Sequence, residues 1–115
     1  MRVATMTTNN YQRCIDECNR CAKVCYECFE ACVNEPDLNT KGNLVKTLME
    51  CAKMCEMLAE LMSINDQFAK EHCRFCASIC DKCAQECGIF KDDHYQKCAQ
   101  ECSACAKECR KISDM

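Results

Sequence analysis

Six cysteines, Cys14, Cys18, Cys21, Cys25, Cys28 and Cys32, follow one another at intervals of four, three, four, three and four residues. Intervals that average 3.5 residues hold a stripe of side chains on one side of an α-helix for many turns, so all six thiols share a face. The alternation returns at Cys51 and Cys55, at Cys73, Cys76, Cys80, Cys83 and Cys87, and at Cys98, Cys102, Cys105 and Cys109. These positions account for all 17 cysteines, and none lies off a stripe.

A stripe needs helices, and the rest of the chain supplies them. Two glycines, one proline and an abundance of Ala, Glu and Lys leave little material for turns or β-branched strands, so the fold class is all-α. At 115 residues the chain is expected to form one domain, residues 1–115. There is no Trp, and Cys takes seats that Leu or Val would normally fill. The formal charge is only −3, with Lys and Arg interspersed among Asp and Glu, which argues against nucleic acid and against an anionic membrane surface. No apolar run is long enough to cross a bilayer, and Met1-Arg2-Val3-Ala4-Thr5 lacks the apolar core of a signal peptide. The expected location is therefore the cytoplasm, where thiols stay reduced. A secreted disulfide scaffold is disfavoured by that location and by the odd cysteine count. Thiols one turn apart on a rigid helix are also badly placed for the disulfide torsion.

The pattern divides into four helices at about 9–33, 43–62, 65–87 and 93–112. Residues 1 to 8 show no periodicity and read as a frayed end. Asn9 or Asn10 is the expected cap of the first helix. Asn34-Glu35-Pro36-Asp37 stops it, because a proline disfavours helical geometry in the residue before it. The second helix has the inward stripe Leu44, Leu48, Cys51, Cys55, Leu58 and Met62. Ser63 or Asn65 is expected to cap the third helix, and Gly88 to end it in the left-handed conformation. Short connections make neighbours antiparallel, giving an antiparallel up-down-up-down four-helix bundle with a cysteine-lined core.

Free cysteine can act as a small hydrophobe, but Leu packs a bundle better and does not oxidise. The reading that remains is metal. Zinc wants closed tetrahedral quartets. A continuous ladder of thiols suits an ion content with two or three soft ligands, which is Cu(I). One monovalent ion per thiolate also leaves the interior near neutral, whereas bare thiolates would be costly to bury. The loop-borne cysteine run of the ferredoxins is absent.

Residues 18–25, 73–80 and 102–109 all fit CxxCAxxC. Together with the Cys-rich first helix and a His shortly before the last helix's cysteines, they make the whole chain resemble the cytosolic four-helix-bundle copper storage proteins. The resemblance implies multiple Cu(I) ions held inside each bundle, all 17 cysteines as ligands, no catalysis, and a homo-tetramer. A copper chaperone or an apo-cuproenzyme is the kind of partner such a role implies. The chain departs from the richest family patterns at Leu44, Leu48 and Leu58, so copper is expected to be sparse beside the second helix. Tyr95 is another seat where a thiol would fit.

His94, four residues before Cys98 and beside Cys87 and Cys32, reads alone as a surface residue at a helix start. The resemblance adds a second reading, a ligand at the mouth of the bundle. His72 lies off the cysteine line in a stripe with Phe68, Phe75 and Ile79, which reads as a surface for another subunit. Of Met54, Met57 and Met62, only Met62 is on the inward stripe, and it is the thioether counted as a candidate ligand. Storage and detoxification of Cu(I) is the leading function. A zinc or cadmium buffer of helical metallothionein type is the alternative. A redox enzyme is disfavoured, since no CxxC stands apart at a helix N-terminus beside a base.

Overall fold

The computed structural model describes residues 10–115. Four long helices run α1 (Gln12–Val33), α2 (Gly42–Ser63), α3 (Ala69–Gly88) and α4 (Asp93–Ser113), with one 3₁₀ turn at Leu38–Lys41 between the first two. Each helix packs on its two neighbours in a ring, α1 on α2, α2 on α3, α3 on α4 and α4 back on α1. The interior of that ring holds all 17 cysteines, every one buried.

The alanine of the repeated motif has a structural cause. Ala22, Ala77 and Ala106, each directly after an inward cysteine, are buried between helices, as is Ala52 after Cys51. A side chain this small at the flank of the stripe lets helix axes approach, because interaxial distance follows the size of the contacting residues. Close axes are what bring thiols of different helices into contact.

The helix ends differ from sequence expectation. Helix α1 begins at Gln12 with Tyr11 in the cap position and no side-chain cap, and Asn10 is an exposed turn residue. Asn9 and the segment read as frayed lie outside the described residues. Between α2 and α3, Asn65 adopts φ 64°, and its amide returns to the Met62 carbonyl at 3.1 Å, so it terminates α2. Ser63 bonds back to the Ala59 carbonyl, and neither residue caps α3. No side chain caps α3: Phe68 holds the cap position, its amide donating to Asp66 Oδ1 at 2.9 Å, and the helix starts at Ala69, not at 65. Gly88 is not left-handed. It is the last residue of α3, followed by Ile89 at φ −68°. The Gln96 side-chain amide donates to the carbonyls of Gly88 and Phe90 at 3.3 and 2.6 Å, which satisfies the helix end without a positive φ.

Candidate metal centre

The inward stripes meet in one column of sulfur. Beginning at one end, Cys14 Sγ lies 3.7 Å from Cys109 and 4.0 Å from Cys18, and Cys18 is 3.8 Å from Cys105. Cys55, from α2, reaches Cys76, Cys80 and Cys105, each at 3.8 Å. Cys51 donates to Cys80 at 3.7 Å and lies 3.9 Å from Cys102. Cys102 also receives Cys21 at 3.8 Å and touches Cys25 at 3.7 Å, and Cys98 donates to Cys25 at 3.9 Å. Beyond Cys98 the column goes on through Cys28, which faces Cys87 and Cys98 from α1, and closes with Cys32, both buried. Separations of 3.7–4.0 Å are the edge lengths of a trigonal or tetrahedral thiolate cage around an ion about 2.3 Å from each sulfur.

Four quartets of thiols converge within 4.8 Å: Cys18, Cys76, Cys105 and Cys109; Cys21, Cys55, Cys80 and Cys105; Cys21, Cys25, Cys51 and Cys102; and Cys25, Cys83, Cys98 and Cys102. A trio of Cys14, Cys73 and Cys109 continues them at one end. The quartets are not separate. Each shares at least one sulfur with the next along the column, so no more than two of these four can be closed at once as independent tetrahedral sites. Bridging sulfurs are natural to a low-coordinate soft ion and awkward for isolated zinc centres.

In the metal-free column, S–H···S contacts divide the thiols. Cys55 and Cys80 are pushed up, chiefly by Cys105, and Cys102 is pushed up chiefly by Cys21, with burial adding to each. Cys51 and Cys98 are pushed down, chiefly by contact with Cys102, and Cys105 by contact with Cys109. Burial works against the anion at each of these six, and an arriving cation must displace the protons that the raised thiols hold.

The remaining candidates fall at the two ends. Met62 is fully buried, and Cys73 points its thiol at Met62 Sδ at 3.9 Å, beside the Cys14 trio. Met54 is buried on another face and Met57 is exposed. With Phe75, Ile79, Glu50 and Lys53 they line a groove of about 470 Å³ between α2 and α3. At the opposite end the inward seat before Cys98 belongs to Tyr95, which is completely buried, and not to His94. His94 stands half-buried against the Tyr95 ring with centroids 4.1 Å apart. Its Nε2 is buried, has no hydrogen bond, and is 3.4 Å from Glu35 Oε2. His72 bonds through Nδ1 to Asp66 Oδ2 at 2.7 Å and stays outside the column.

Sequence reasoning missed Glu35 and Lys41. The Tyr95 hydroxyl donates to Glu35 Oε1, and Lys41 Nζ donates to the same oxygen at 2.8 Å. Lys41 holds the Glu35 carboxyl below the usual range, aided by Tyr95, while burial and the adjacent Cys32 and Glu35 push the Tyr95 phenol well up. The one signal was Tyr95 itself, standing three residues before Cys98 in the cysteine register.

Residues 7–114 match the protein family described as copper storage protein. The chain is 36% identical over 77 residues to the uncharacterised cysteine-rich protein YhjQ of Bacillus subtilis, covering 67% of this chain and 71% of that one. Among solved structures it superposes on the Cu(I)-bound copper storage protein BsCsp3 of Bacillus subtilis with a TM-score of 0.86 at 36% identity, covering 90% and 99% of the two chains. It superposes on a cytosolic copper storage protein from Streptomyces lividans holding five coppers with a TM-score of 0.85 at 30% identity, covering 91% and 92%.

Proposed function

The chain belongs to the copper storage protein family, and from that premise we propose how this particular sulfur column stores its cargo. The protein is a copper store, and its cargo is multiple Cu(I) ions. Each ion binds by replacing thiol protons, so loading releases H⁺ and weakens as pH falls. All 17 cysteines serve as ligands. Met62 adds a thioether beside Cys73, and His94 adds an imidazole at the other end, where its buried Nε2 has no competing hydrogen bond.

The observation that carries this reading is the sharing of Cys21, Cys25, Cys102 and Cys105 between adjacent quartets. A shared sulfur bridges ions, and one monovalent ion per thiolate keeps the buried column near neutral. The copper so held is kept from the thiols and clusters of other proteins. The setting is the cytoplasm, as it is described for the Streptomyces relative. The role is storage without catalysis, with a copper chaperone or an apo-cuproenzyme as the exchanging partner. A homo-tetramer is favoured by the exposed Phe68 and Phe75 and by the apolar groove beside them.

Anaerobic titration of the reduced protein with Cu(I), followed to saturation with a chromophoric chelator, tests the reading. Copper well above the number of closed quartets is expected. Saturation at about two ions, with Zn(II) competing successfully, would instead favour a divalent-metal buffer.

A further inference from the structure

The two ends of the thiol column are finished with different chemistry. At the Cys14 end the donors stay soft to the last residue, with Cys14, Cys73 and Cys109 converging and Met62 Sδ against Cys73. At the Cys32 end the stripe of α4 stops at Cys98, and the next inward seat holds the Tyr95 ring, with the Cys32 thiol facing its hydroxyl. That ring is held by polar contacts. Its hydroxyl donates to Glu35, which Lys41 also grips, and Lys41 Nζ sits 5.0 and 5.1 Å from the centroids of Phe90 and Tyr95. The Lys41 side chain is only 6% exposed. An aliphatic residue would close this end without desolvating a lysine and a carboxylate. What the polar hold adds is a closure that breaks and re-forms without disturbing a helix, since Glu35 and Lys41 lie in the α1–α2 connection and Tyr95 in the first turn of α4.

We propose that Tyr95 is a tethered stopper at the Cys32 end of the column, and that Glu35 is the positioning residue that sets how readily Cu(I) passes it. The inference rests on the storage reading above. With the ring swung aside, Cys32 and the unbonded His94 Nε2 are the donors flanking the opening, a soft and a borderline ligand suited to a Cu(I) ion in transit.

The test separates rate from capacity. The full reduced chain is loaded with Cu(I), and release to an excess of chromophoric Cu(I) chelator is timed for the natural protein and for Tyr95→Phe, Glu35→Gln and Tyr26→Phe. Tyr95→Phe keeps the ring and cuts the tether. Release is expected to quicken roughly tenfold to a hundredfold, the factor attached to losing one hydrogen bond to a charged acceptor. Glu35→Gln is expected to move it in the same direction by less, and it carries the test if the Tyr95 variant does not fold. The copper content at saturation should not change in either. Tyr26→Phe removes a hydroxyl bonded to Glu56 at 2.7 Å on an outer face and should leave the rate alone. Unchanged release in both Tyr95→Phe and Glu35→Gln, or equal quickening in Tyr26→Phe, overturns the stopper while leaving storage intact. A natural chain that takes up no copper overturns both.

Discussion

Leu58 and Leu48 are fully buried on the inward stripe of α2, in seats where the other three helices carry sulfur. Replacing Leu58 with cysteine extends the run Cys51–Cys55 by one turn, toward the quartet of Cys18, Cys76, Cys105 and Cys109. The metal-free protein should weaken. The change removes the equivalent of one to two methylenes and leaves a small cavity, about 2 kcal/mol at ~0.8 kcal/mol per buried methylene plus the cavity term. For a chain of this size that lowers Tm by roughly 8 °C. Leu48→Cys should behave alike, and because ten residues of helix separate the two seats by about 15 Å, their effects should add to about 4 kcal/mol. Copper reverses the order: an added thiol on the column takes about one more Cu(I), and an ion bound only by the folded state restores its stability by mass action. Calorimetry of metal-free and loaded protein, with copper counted by chelator competition and thiols by chemical titration, measures all three quantities. A variant with one more reactive thiol than the natural 17, an intact helical spectrum and no extra copper would refute the view that capacity follows the sulfur lining.

Three further outcomes follow from particular side chains. Glu17 is buried between α1 and α4 and its carboxyl is raised to about 7, by burial first and by the neighbouring Glu101 second, against the pull of Arg20. A folded-state value above the unfolded 4.5 means that its stabilising share is present below pH 4.5 and is lost as pH rises through 7. Glu17→Gln should therefore gain on the natural chain between pH 5 and pH 8, by about 2 kcal/mol after allowing for solvent screening, as read by denaturation of the metal-free protein. Met62→Leu keeps volume and should change metal-free stability by less than about 1.5 kcal/mol while lowering saturating copper by about one ion; an equal count would restrict Met62 to packing. Phe75→Glu, at a 60% exposed position on the α2–α3 groove, should leave the monomer's fold within about 0.5 kcal/mol and shift sedimentation to smaller species. Unchanged sedimentation would move the subunit contact elsewhere.

The cysteine register foretold the burial of all 17 thiols, because a 3.5-residue stripe has only one way to face inward across four short-looped helices. Leu44, Leu48, Leu58 and Met62 obeyed the same rule and are buried in line with Cys51 and Cys55. The ends were less legible, for reasons that lie between elements. Gly88 carries every local sign of a left-handed stop, but the cap it would have supplied comes from Gln96, a residue of the next helix. Ser63 and Asn65 both carry the local signs of a cap for α3; the geometry instead gives Asn65 the positive φ that ends α2 and turns Ser63 back on the Ala59 carbonyl. Nothing local marks Lys41, because its burial depends on Glu35, Asp37, Phe90 and Tyr95 meeting across three segments of chain. His94 and Tyr95 are adjacent, both compatible with the inward line, and the choice of Tyr95 for the inner seat follows from the acceptor that Glu35 offers its hydroxyl.

The uneven distribution of sulfur among the helices follows from what a metal-free bundle needs. A column of thiols buries less apolar area than a column of leucines, and it must hold its shape before the first ion arrives, since displaced protons need thiols already in contact. Helix α2 meets that need. It puts three leucines and a methionine on the inward stripe and keeps only Cys51 and Cys55 at its middle, where they complete two of the four quartets. The aliphatic seats lie above and below that waist, so each half of the bundle has an apolar contact that does not depend on copper. Filling the three leucine seats with sulfur would raise capacity and lower the stability of the empty protein together, because the same three side chains set both.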